Sequence, residues 1–336
     1  HEILSGRTAL YTNIGFNSPV TFVKELENAL SVHNKQLYDS YQSSRKKIEG
    51  LFGISLEENF LSWMSGEFAI TQSEPGLLGH DPEQILAIRV KSIKDARKNM
   101  EFIEKKIKRR TPVKIKTANY KDFEINYVEM KGFFRLFFGK LFDKFEKPYY
   151  TYVGDYVVFS NSPATLAEMI KEYVLGNTLE NDEKHMRLKG QLGSRKNVFG
   201  YVQTPNTYEY LYDSFKAGSQ ESLEKNRGAF LSFETIGFSL SKEGGIFETQ
   251  IIANYNDKAP EEYKMRELNR QFENQINKIE AGFYYPVIPD SIAVSNQEYY
   301  EYKSEQAIFK GALKDGEPDG VWCVFNVAGK LLGQFP

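Results

Sequence analysis

The chain has 336 residues, enough for one large domain or two to three ordinary ones, and its 41% hydrophobic and 26% charged residues give a globular composition, not a disordered one. Its net charge of −2, with Lys and Arg spread along the chain, argues against nucleic acid, which needs a concentrated basic surface. The single cysteine, Cys323, excludes an internal disulfide and a multi-cysteine zinc site, and the four histidines are dispersed without HxxH or HExxH spacing.

Aromatic residues make up 14% of the chain and favour strands, so a sheet-rich protein is expected. No apolar run reaches the length of a membrane span, and there is no signal peptide. The start at His1 and the abrupt stop after Gln334-Phe335-Pro336 read as a fragment or processed form, so missing targeting signals carry no weight.

Residues 9–26, ALYTNIGFNSPVTFVKEL, introduce a unit that recurs: a short apolar strand, then Ser or Thr followed by Pro, then an amphipathic segment. Ser18 is placed to cap the free amides of a first helical turn, and Pro19 falls where a missing N–H costs nothing. The stretch GEFAITQS, 66–73, alternates as a strand. A looser copy of the unit spans 85–107, with Ser92 in the capping place. Residues 113–130 alternate, and 149–161 form a hairpin turning at Gly154-Asp155. The unit returns at 156–170, YVVFSNSPATLAEMI, with Ser162-Pro163, and at 198–211, VFGYVQTPNTYEYL, with Thr204-Pro205. A long hairpin over 230–255 turns at Gly244-Gly245.

Helices alternate with strands that are mostly hairpin-linked, which favours α+β with antiparallel sheet over a doubly wound parallel sheet. Two related halves are expected, about 8–130 and 149–256, within a 1–256 domain. Residues 260–281 read as a charged amphipathic helix, and the Pro-containing FYYPVIPDS as a linker within 257–290. A β-rich tail follows over 291–336.

Two resemblances rest on quoted stretches. The segments at 8–30, GLFGISLEENFLSWMSGEFAI at 50–70 and YTYVGDYVVFSNSPATLAEMI at 150–170 resemble, in this order and separation, the bacterial family described as domain of unknown function 3352. Its members look like envelope proteins, so the resemblance implies an extracytoplasmic, periplasmic location and a membrane anchor outside this chain. It brings no activity and no catalytic residues. The tail FKGALKDGEPDGVWCVFNVAGKLLGQFP, 309–336, is similar to one MORN-type repeat, departing from the pattern at Asn326-Val327-Ala328. Such hairpins stack on neighbours.

The most chemical-looking stretch is Asp315-Gly316-Glu317-Pro318-Asp319-Gly320. It meets the early positions of a calcium loop, but position 12 is Asn326, which cannot supply a bidentate carboxylate, and the flanks read as strands. Asp-Gly turn chemistry accounts for the same residues and is preferred; calcium stays the alternative. The segment 132–150 places Phe133, Phe134, Phe137, Phe138, Phe142 and Phe145 on a basic amphipathic helix. Burial against the sheet, a partner surface and a lipid surface are the readings open to it. Glu67 and Asp155 invite acid/base pairing, yet no catalytic set, metal cluster or cofactor motif emerges. The tyrosines 208, 210, 212, 299, 300 and 302 read as stacking platforms or as packing.

The expected function is therefore a non-enzymatic cell-envelope protein that binds or scaffolds another envelope protein or membrane complex. It would use the phenylalanines above with Trp322 and Phe325, without cofactor, metal or nucleic acid. The alternatives are a carboxylate- or metal-dependent hydrolase and a carrier of an apolar ligand or lipid.

Overall fold

The strand Gln84–Val90, QILAIRV, lacks period-two alternation, the mark of a strand covered on both faces. In the computed structural model of the chain it is covered in that way: Leu86, Ile88 and Val90 enter one hydrophobic core, and Ile85 and Ala87 a second on the opposite side. The structure describes residues 1–74, 84–110, 115–128, 145, 149–193, 197–264, 297–303, 307–314, 317–326 and 331–335. Two compact units are present, His1–Pro75 with Asp81–Glu261, and Gly76–His80 with Glu262–Pro336.

The first unit is α+β. Its strands are β1 (Thr8–Gly15), β2 (Met64–Ser73), β3 (Gln84–Val90), β4 (Ile115–Tyr120), β5 (Phe123–Val128), β6 (Tyr149–Val153), β7 (Tyr156–Ser160), β8 (Val198–Gln203), β9 (Phe233–Glu243) and β10 (Ile246–Tyr255). They form one antiparallel sheet in the order β10-β9-β8-β1-β2-β3-β7-β6-β5-β4. Residues 8–130 and 149–256 each contribute five of these strands, and the two sets interleave, with β8 on β1 and β7 on β3.

Helices cover both faces. α1 (Pro19–His33), α2 (Lys35–Phe52) and α3 (Ile93–Arg110) belong to the first core, where Ile48, Phe52, Met100 and Ile103 meet Phe68, Val157 and Phe159. α4 (Pro163–Leu175) and α5 (Glu183–Gln191) cover the other face, through Leu166, Met169, Ile170 and Leu188. Ser18 and Ser162 cap as their sequence predicts, accepting from Thr21 N and Thr165 N at 3.3 Å each. Ser92 does the same for Asp95 N.

The copy at Thr204-Pro205 departs from expectation. Helix α6 (Thr204–Ser214) begins at Thr204 itself, so Thr204 is the first helical residue and not the cap. The cause is a buried amide. Gln203 donates to Gly6 O at 2.9 Å and accepts from Asn206 Nδ2 at 2.9 Å, while Thr207 Oγ1 donates to Gln203 O at 3.0 Å. A buried amide must find partners, and those available to Gln203 start the helix one residue early.

Gly237 of β9 lies under α5. A Cβ there would sit 2.7 Å from Leu188 Cδ2 and Leu192 Cδ1 and 2.8 Å from Leu188 Cγ, so both buried side chains would have to shift. Gly237→Ala should therefore lower stability by ~1–3 kcal/mol in urea denaturation, and an unchanged midpoint would show that α5 yields freely.

The second unit contains a four-stranded antiparallel meander, β11 (Gln297–Lys303), β12 (Ala307–Lys314), β13 (Glu317–Asn326) and β14 (Leu331–Phe335). Lys314 pairs with Glu317, so two residues, Asp315 and Gly316, join β12 to β13. Glu317, Asp319 and Gly320 then lie within β13, with Asp319 opposite Ala312, so the second Asp-Gly pair is strand and not the turn its sequence suggests: pairing with β12 overrides its local turn preference.

Candidate functional site

Three features of the first unit could carry function. The first is polar. At one end of β1, β2, β3 and β7, Glu67 accepts from Asn13 Nδ2 at 3.1 Å and Tyr156 Oη at 2.9 Å, and pairs with Arg89 at 3.4 Å. Burial alone would raise the Glu67 carboxyl. The bonds from Asn13 and Tyr156 and the Arg89 charge outweigh it and hold the carboxyl below its ordinary value. Burial, with the Glu67 charge beside it, pushes the Tyr156 hydroxyl up. Asp155 is exposed in the turn that joins β6 to β7, and its carbonyl accepts from Val90 N at 2.9 Å. An ionised carboxylate already engaged by three side chains ties four strands together and is poorly suited to hold a proton for general acid chemistry. Among the described residues, no group of three or more His, Cys, Asp and Glu could hold a metal ion.

The second feature is a groove. After α6 the chain forms two short helices, α7 (Ala217–Lys225) and α8 (Arg227–Ser232), which with the start of β9 border an open, shallow groove of about 540 Å³. Phe215, Leu223, Phe230 and Phe233 supply its apolar lining, and Ser219, Ser222 and Asn226 its polar edge. Tyr208 braces it from behind: its hydroxyl donates to Glu224 at 2.7 Å, and its ring lies 5.9 Å from that of Phe230 and 5.0 Å from the Arg227 guanidinium. Burial, with Glu224 adjoining, pushes the Tyr208 hydroxyl up to about 12, so it stays a donor. Phe215 and Phe233 remain exposed, at 44% and 45%. The volume and the apolar lining with a few polar groups match what a short peptide segment or small apolar molecule requires.

The third feature adjoins it. β10 is an edge strand of the sheet, and Ile246, Phe247, Ile251 and Tyr255 are exposed along it. Tyr255 meets Phe233 edge-on at 6.0 Å, so the apolar edge and the groove are continuous.

The residues singled out from sequence have mixed fates. Phe145 is 3% exposed within the first core, where it serves packing and not partner contact. Phe133, Phe134, Phe137, Phe138 and Phe142 lie outside the described residues, as do 265–281 of the amphipathic segment. Trp322 and Phe325 fall in β13, opposite Phe335 and Ile308 in register. Tyr208 is buried, Tyr210 donates to Ser73 O at 2.7 Å, and Tyr212 stacks on Tyr208, so this run packs the molecule against itself. The sequence reading missed the groove. Part of its signal was present in Phe215 and Leu223, apolar residues in a polar stretch that no expected element absorbs, while Phe230 and Phe233 were read into the 230–255 hairpin.

Among the described residues, no helix is long and apolar enough to cross a membrane. No protein-family model matches the chain, and neither a curated protein nor a solved structure is similar to it.

Proposed function

We propose that the protein is a non-enzymatic cell-envelope protein that binds another protein, taking an apolar segment of it into the groove formed by α6–α8 and β9. The observation that carries this is the pairing of exposed aromatics, Phe215 and Phe233, with a braced apolar recess of about 540 Å³. Exposed aromatics around a preformed pocket are the usual anchors of protein recognition. The envelope location and the stacking role of the tail rest on the sequence resemblances alone. The engaged state of Glu67 weighs against the hydrolase alternative.

A small apolar ligand in the same groove is the second reading, favoured by the volume. A photo-crosslinking residue at Ser222, in the native envelope, separates the two. The first reading expects a protein adduct of discrete mass that weakens tenfold or more with Phe215→Ala and Phe233→Ala, exposed positions whose truncation should leave folding intact. Adduct formation with lipid alone would favour the second reading, and no adduct of either kind would remove both.

A further inference from the structure

The two edges of the ten-stranded sheet differ in their defences. β4 is only six residues long, a feature that discourages pairing with another strand. β10 runs for ten residues, IFETQIIANY, with Glu248 as its one charge and neither Pro nor Lys. Ile246 through Ile251 are all exposed, so both faces of the strand are open here.

Its outward backbone groups follow from the turn before it. Glu243 and Ile246 flank a two-residue turn, Gly244-Gly245, with φ of +57° and +84°. Residues flanking such a turn bond to each other, so Phe247, Thr249, Ile251 and Ala253 direct N–H and C=O away from β9.

We propose that β10 pairs antiparallel with β10 of a second copy of this chain, about a two-fold axis at Ile251, to make one sheet continuous through both copies. This goes beyond the groove reading and does not depend on it. In this register Ile251 meets its own copy, Phe247 meets Tyr255, and Glu248 meets Asn254, so no like charges oppose. An axis at Gln250 would set Phe247 against Ala253 and Glu248 against Ile252, separating the large rings. Ile246, Phe247, Ile251 and Tyr255 are 64–74% exposed. Four side chains of this size, with the outward backbone, offer on the order of 600 Å² per copy, the lower end of what specific interfaces bury. An isologous strand pair also satisfies every outward N–H and C=O of the edge at once.

Sedimentation of the full chain at micromolar concentration tests the proposal. A dimer is expected, and Ile251→Lys should raise its dissociation constant at least tenfold. The register has its own readout, in a Cys323→Ser background. Residues in a hydrogen-bonded antiparallel pair have Cα atoms about 5.5 Å apart, within disulfide reach, so Ile251→Cys should form a covalent dimer on mild oxidation. Thr249→Cys should not, because the two copies of residue 249 would lie roughly 13 Å apart at ~3.3 Å per residue. Both sites are exposed, and a thermal melt confirms that each variant folds. A monomeric wild type overturns the proposal. So does a dimer that Ile251→Lys leaves intact, equal crosslinking at 249 and 251, or crosslinking of β10 to a different protein in place of its own copy.

Discussion

Trp63→Ala should lower the stability of the first unit by ~3–5 kcal/mol, the range for truncating a large buried aromatic. Trp63 is 1% exposed and packs against Phe60, ring centroids 4.8 Å apart. Its place is set by a single π-helical turn, Glu57–Leu61. Asn59 Oδ1 accepts from Ser55 N at 2.8 Å at the start of that turn, and the indole N–H donates to Asn59 O at 3.0 Å. The side chain thus both fills the core and supplies a partner to a carbonyl of the widened turn. Trp63→Phe keeps most of the apolar area and loses the donor, so it should cost roughly 1–3 kcal/mol, less than alanine. Urea denaturation reads both as midpoint shifts. An alanine variant within about 1 kcal/mol of wild type would remove Trp63 from the core.

Glu234→Gln should cost ~2–3 kcal/mol near neutral pH and progressively less in acid. The Glu234 carboxylate, 3% exposed, accepts from Lys184 at 2.6 Å, Arg187 at 3.0 Å and Asn256 Nδ2 at 2.9 Å, fastening α5 to β9 and to the chain leaving β10. Burial would raise this carboxyl. The bonds from Lys184 and Asn256 and the two cationic charges hold it below its ordinary value instead. A group whose folded value is depressed contributes stability that is present above its unfolded value, about 4.3, and lost as pH falls through the folded one. The wild type should therefore approach the variant in melting temperature below about pH 4, while above about pH 5 it stands several degrees higher. A gap that persists unchanged to pH 3 would mean that the carboxylate's charge contributes nothing. Lys184 and Arg187 reach solvent, 30% and 56% exposed, which keeps the cost below that of a fully enclosed pair.

Much of the fold was legible because its signals are local. Gly154 and Gly244-Gly245 announce their hairpins through turns that need positive φ, and Ser18 and Ser162 announce their helices through bonds three residues long. The antiparallel α+β class followed from those hairpins. Thr204 was misread because the deciding partner of Gln203 is Gly6, nearly 200 residues away in sequence, and no local pattern records it. α2 was unread although Asn34 caps it by accepting from Leu37 N at 3.0 Å and Gly53 ends it with φ of +62°. Its apolar residues are sparse in a polar run. The strand order was not legible, and order decides which strand is an edge. IFETQIIANY carries apolar residues in both parities, as a doubly covered strand does. Only its place beside β9 shows that the same pattern is left open. The groove escaped for a related reason, since Phe215 and Phe233 come together only when three short helices fold back on the sheet.

The placement of β8 on β1 bears on how the molecule assembles. Leu10 pairs with Val202 and Thr12 with Gly200, so a central strand made at the start of synthesis waits for a neighbour made almost 190 residues later. In that interval β1 and β2 can form with the α1–α2 layer, but the far side of β1 stays an open template, with Tyr11 uncovered. Contacts of such long sequence range slow folding and prolong the lifetime of sticky intermediates. A chain cut anywhere between β7 and β8 would keep that internal edge bare permanently. Such truncations should aggregate, while loss of the C-terminal meander leaves every strand of the large sheet with its neighbours.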